Sequence, residues 1–161
     1  MALVAAALGL LAPAAASASD QSVYDAYVSR DNDFGVLGGD LGRTLRRWEN
    51  SGHKRSRQGP VLKVLRRGHK LIGELAPVVK AEAPSSSNGK HGKSEALATL
   101  RFMDRSFTAL AKSIRARTAG HLKTARSYTA KWNRLDRSAG RAEKRARKWF
   151  KAAGVKLQPL P

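Results

Sequence analysis

Thr118-Ala119-Gly120-His121 stands between two long apolar stripes and decides how the C-terminal half of the chain is arranged. Before it, Ala96, Leu100, Met103, Phe107, Leu110 and Ile114 recur at steps of four and three. After it, Tyr128, Trp132, Leu135, Ala139, Ala142, Ala146, Trp149 and Ala153 do the same. Alternation sustained over so many turns makes a coiled-coil-like seam. Read as a turn, the four residues fold the stripes into an antiparallel hairpin that closes a four-helix bundle. Read as a stutter, they leave one helix over about 94–153, roughly 90 Å long at 1.5 Å per residue. The turn is preferred, because an isolated helix would leave Trp132 and Trp149 in water. The expected fold is all-α, a kinked four-helix bundle; the alternative is a helical hairpin plus one long helix over about 94–153.

Upstream, the same periodicity continues and no window alternates with period two. Asp20 is placed to cap a short helix carrying Val23, Tyr24 and Tyr27, and the Asp31-Asn32-Asp33 cluster interrupts it or starts another. Phe34, Leu37, Leu41, Leu45 and Trp48 mark one helical face, ended by Asn50-Ser51-Gly52. Pro60 suits the first turn of the next helix. Its stripe is Val61, Leu65, Gly68, Ile72, Leu75 and Val79, with Pro77 expected to kink or stop it. Residues 83–93, rich in Pro, Ser, Asn and Gly, read as a flexible linker, with Ser94 as the cap of the following helix. Residues 154–161 read as an extended tail, which leaves 19–153 as the helical domain.

The N-terminus carries a different signature. Residues 1–18 hold no charged side chain, an apolar run from Ala2 to Ala12, and a small-residue exit at Ala16-Ser17-Ala18. Although a basic n-region is missing, this pattern is expected of a signal peptide cut between Ala18 and Ser19. The run is too short to span a bilayer. The expected location is therefore outside the cell, secreted or associated with the envelope.

Charge supplies the functional expectation. The chain has 31 Lys and Arg against 12 Asp and Glu, a formal net charge of +19. Residues 105–156 hold sixteen of those bases and two acids, whereas 19–42 hold one base and five acids. An excess of this size repels itself and attracts polyanions. Two groups stand out: Arg141, Lys144, Arg145, Arg147, Lys148 and Lys151 near the C-terminus, and Arg43, Arg46, Arg47, Lys54, Arg55, Arg57, Arg66 and Arg67 earlier. The first group avoids the seam, and Phe150 beside it is expected to reach a lipid headgroup layer. The two groups form one patch or two according to how the helices connect.

Catalytic signals are weak. No cysteine is present, which excludes disulfides and thiol chemistry. His53, His69, His91 and His121 are scattered without metal-ligand spacing. Asp25, Asp31, Asp33 and Asp40 read as helix starts and counterions. Ser87 to Ser94, SNGKHGKS, is one residue short of a phosphate-binding loop and follows a linker rather than a strand. No cofactor, metal or small-molecule substrate is specified. The expectation is a secreted, non-enzymatic basic protein that binds an anionic cell-envelope polymer or lipid surface. The alternatives are an intracellular, non-specific nucleic-acid binder with a misassigned start, and a secreted protein that binds a protein partner.

Overall fold

A computed structural model describes residues 12–159, with side chains from Ser19 onward. Five α-helices and no strand are found among these residues: α1 (Ala12–Val28), α2 (Asp31–Asn50), α3 (Gln58–Ala81), α4 (Ser87–Thr118) and α5 (Leu122–Ala152). A short 3-10 turn, Arg55–Arg57, leads into α3. The chain is a four-helix bundle whose first arm is broken at Ser29–Arg30 into α1 and α2. The signal segment expected at 1–18 falls on residues 1–11, outside the described residues, and on residues 12–18, which begin α1.

Gly120 makes the turn. It adopts φ +80°, donates to the Arg117 carbonyl at 3.1 Å, and is followed by His121 N–H donating to Ala116 O at 2.9 Å. This is a Schellman ending, which needs a left-handed residue that glycine supplies without strain. The same pattern ends α2, with His53 N–H on Trp48 O at 3.1 Å, and α5, with Val155 N–H on Phe150 O at 3.1 Å. The long-helix alternative is thereby excluded.

Buried side chains gather at two levels. At one end, Val23, Tyr24, Ile72, Leu75, Val79, Leu100 and Phe150 pack together. At the other, Trp48, Val61, Leu65, Leu110 and Ile114 do so, with Trp132 against them and Phe107 touching both levels. The expected α3 stripe is buried throughout, Gly68 included. Pro77 does not stop α3: the helix continues to Ala81, and the Gly73 carbonyl simply lacks its amide donor.

Three expectations need correction. Residues 87–93 are helix, not flexible linker; only 82–86 connect α3 to α4. Ser86, not Ser94, is the N-cap, its hydroxyl accepting from Gly89 N–H at 2.8 Å. Asp20 lies within α1 and serves α4 instead: its Oδ1 accepts from Ser85 N–H at 2.9 Å and Ser86 N–H at 3.3 Å. Burial opposes its ionisation, but the Ser86 and Ser85 hydrogen bonds outweigh that and hold its pKa below the usual carboxylate value. The glycines of SNGKHGKS thus have packing roles. A Cβ at Gly89 would meet the Asp20 carboxylate, and one at Gly92 would sit 2.9 Å from the Phe150 ring.

The α4–α5 contact is built from small residues. Gly92, Ala96, Thr99, Ser106, Ala109 and Ser113 are buried on α4, and Ala125, Ala139, Ala142 and Ala146 on α5. Buried hydroxyls here avoid the cost of lost hydration by bonding to backbone: Thr99 to Glu95 O at 2.9 Å, Ser106 to Met103 O at 2.8 Å, Ser113 to Ala125 O at 3.1 Å. The tail from Val155 is not loose. Val155 is buried, Lys156 N–H donates to Gln21 Oε1 and Gln158 N–H to the Tyr24 hydroxyl, both at 2.9 Å.

Candidate polyanion interface

The antiparallel α4–α5 pairing sends the two basic groups to opposite ends of the bundle. Phe150, near the end of α5, meets Tyr24 of α1 edge-on with ring centroids 5.4 Å apart. Arg141 to Lys151 therefore lie at the α1 end. The loop after α2 meets the end of α4 instead, where Arg117 Nη1 lies 3.1 Å from His53 Nε2. Arg43 to Arg57 belong to that end.

The exposed face of α5 joins them. Lys123, Arg126, Arg134, Arg137, Arg141, Lys144, Lys148 and Lys151 are all exposed and recur at steps of three and four, with Ala130 filling the one vacant step. At 3.6 residues per turn these positions share the half of the helix opposite Ala125, Leu135, Ala139, Ala142, Ala146 and Phe150, which are buried. From Lys123 to Lys151 the row extends about 42 Å at 1.5 Å per residue. Asp136 and Glu143, the acids of α5, fall outside it. Lys123, Arg126, Arg134 and Arg137 were missing from the sequence-based site. Their three-and-four spacing was readable, but the turn at Gly120 was needed to show that this face points away from the bundle.

Few cations are neutralised internally. Among the lysines and arginines of the described residues, only Arg30, Arg43, Arg67, Lys70 and Arg145 reach salt-bridge distance of a carboxylate. Asp40 accepts from Arg43 at 2.6 Å and Arg67 at 3.0 Å, and those two hydrogen bonds lower its pKa. Arg145 makes a bidentate pair with Glu95 at 2.8 and 2.9 Å, which raises the guanidinium's proton affinity. Arg147 turns to the Tyr24 hydroxyl and the Gln158 carbonyl, tying the tail down. Of the expected site, Arg141, Lys144, Lys148, Lys151, Arg46, Arg47, Lys54, Arg55, Arg57 and Arg66 remain exposed without a carboxylate partner. Arg43, Arg67, Arg145 and Arg147 are engaged within the fold. Phe150 is fully buried, so the expectation that it reaches lipid is overturned; Trp149 is half-buried and stacks on His91 at 4.7 Å. No helix among the described residues is long and apolar enough to cross a membrane.

Asp31 and Asp33 fall in the first turn of α2, as expected of helix starts, whereas Asp25 lies inside α1 and accepts from Gln21 at 2.9 Å instead of pairing with a base. Asp33 pairs with Arg30 and Asp40 with Arg43, as counterions do. Asp31, at the start of α2, shares a cavity of about 370 Å³ with Glu143 of α5, above Phe34, Leu75 and Leu100. Burial, and secondarily the Glu143 charge, raise the Asp31 pKa, while Arg147 opposes the shift. Tyr27 at the same cavity is pushed upward by burial as well. Sequence offered no sign of this pairing, because packing alone brings the α1–α2 junction against α5. No group of three His, Asp or Glu suited to a metal ion occurs among the described residues. Comparison with protein families, with curated proteins and with solved structures finds no match to this chain.

Proposed function

We propose that this protein is an exported, non-enzymatic binder of an extracellular polyanion, an anionic cell-envelope polymer or lipid surface, and that it binds through the outer face of α5. The observation that supports this reading is the row of eight exposed cations on one helix face without a carboxylate partner. A folded chain that used its charge for internal pairing would have spread its twelve acids among them. Such a row tracks a linear polymer of phosphates without reading any sequence in it.

The test is retention on immobilised polyphosphate and on phosphate-bearing wall polymer as salt is raised. Each neutralised phosphate contributes roughly 0.7 to the slope of log affinity against log salt for a flexible single strand. Arg134→Gln, Arg137→Gln, Arg141→Gln and Lys144→Gln together should therefore lower that slope by about 3. A slope near zero, or one the quadruple variant leaves unchanged, sinks the proposal. The export half is tested separately by mass spectrometry of the chain recovered from the medium or wall fraction, where Ser19 should be the first residue.

A further inference from the structure

The bundle carries a second, discrete feature at the α2–α4–α5 end. A groove of about 350 Å³ runs between these helices, with Leu45, Trp48, Leu110, Ile114 and Trp132 forming its apolar lining. That volume lies in the range of small-molecule sites, about 300–1,000 Å³. Its lining also includes the exposed residues Glu49, Arg117, Arg126, Ala130 and Asn133, past which it opens to solvent.

Three observations describe what fits there. Trp48 is 4% exposed, and its Nε1–H has no hydrogen-bond partner. An unpaired buried donor is costly and rare in a native fold. Arg117 is held in place at the mouth by His53, whose ring packs edge-on against Trp48 at 4.5 Å. His53 keeps that position with φ +66°, a left-handed conformation uncommon for a non-glycine residue, so the backbone is strained here. Arg126 supplies a second guanidinium without a carboxylate partner. Only Glu49 opposes these two positive charges.

The geometry points to a binding site for a single-chain lipid with a phosphate head. The alkyl chain lies on Leu45, Leu110, Ile114 and Trp132, and the phosphate oxygens accept from Arg117 and Arg126. Apolar floor and a rim of two guanidiniums against one carboxylate match an anionic amphiphile; a cationic one would meet the excess positive charge. Arg126 belongs both to the α5 row and to the groove, so the two readings are told apart by ligand: one amphiphile fills one groove, whereas a polymer follows the outer face of α5.

Isothermal titration of the full chain at physiological salt with dodecyl phosphate, below its aggregation concentration, tests this. The expected result is one site per chain. Arg117→Gln with Arg126→Gln should weaken binding by about tenfold or more, the loss of at least one charge-assisted hydrogen bond. Ala130→Trp, at an exposed position, should block the groove while leaving the melting temperature as in the parent. Equal affinity for dodecyltrimethylammonium would overturn the inference. So would dodecanoate preferred over dodecyl phosphate, inorganic phosphate competing as well as the alkyl ester, or affinity that Ala130→Trp leaves intact.

Discussion

Gly92→Ala should destabilise the protein, although the same change on most helix interiors stabilises it. In a helix, alanine is favoured over glycine by about 1 kcal/mol. At position 92 the new methyl carbon would sit 2.9 Å from Cδ1 and Cε1 of Phe150 and 3.1 Å from Cγ. Carbon atoms pack best at about 3.5–4.0 Å, so the ring must retreat by more than half an ångström. It has nowhere to go: Phe150 is 0% exposed and lies edge-on against Tyr24, which is also fully buried. Overpacking of this kind costs about 1–3 kcal/mol, so the net loss is up to about 2 kcal/mol and the drop in melting temperature up to roughly 8 °C. Gly140→Ala is the internal control. It sits inside α5 with nothing within 4 Å of where a Cβ would stand, so it should gain up to about 1 kcal/mol. Thermal and urea melts followed by circular dichroism read both. Phe150→Leu should remove most of the Gly92→Ala penalty in a double-mutant cycle. If Gly92→Ala melts at or above the parent while Gly140→Ala behaves as stated, the register of α4 on α5 is wrong.

Two carboxylates should respond to pH in opposite directions. Asp20 has a folded pKa below its unfolded value of about 3.9, so its contribution is present above pH 4 and is lost as pH falls through the folded pKa. Asp20→Ala strips the acceptor from Ser85 and Ser86 N–H and should cost about 2–3 kcal/mol at pH 7; urea titrations from pH 7 to pH 3 should show parent and variant converging. Asp31 has a raised folded pKa, so ionisation penalises the fold at neutral pH and the penalty fades as pH falls toward the unfolded value. Asp31→Asn should raise the melting temperature at pH 7, with the gain gone near pH 4; a lower melting temperature at pH 7 would contradict the burial and Glu143 repulsion assigned to it.

Much of this molecule was readable in one dimension. Periodicity located the central stripe of α3 along Val61, Leu65, Gly68, Ile72, Leu75 and Val79, because a buried helical face needs apolar or small groups at fixed steps, whereas Val78, equally apolar, is exposed. Gly52 and Gly120 marked helix ends, because a left-handed residue is cheap only in glycine. Charge density fixed the chemical character of the surface. Local reading failed where one segment depended on another distant in sequence. Ser87 to Lys93 looked like linker because Gly and Ser disfavour helix, yet the Asp20 carboxylate from α1 and the Phe150 ring from α5 need those missing side chains. The seam of α5 slipped at its end, where Phe150 rather than Trp149 is buried, since Tyr24 and Gly92 shape the space that only the ring of Phe150 enters. Composition and spacing act along the chain and fix helices, stops and charge. Which carboxylate meets which amide, which arginines stay free, and where Trp48 is left without an acceptor are set by three-dimensional proximity, which one-dimensional spacing does not encode.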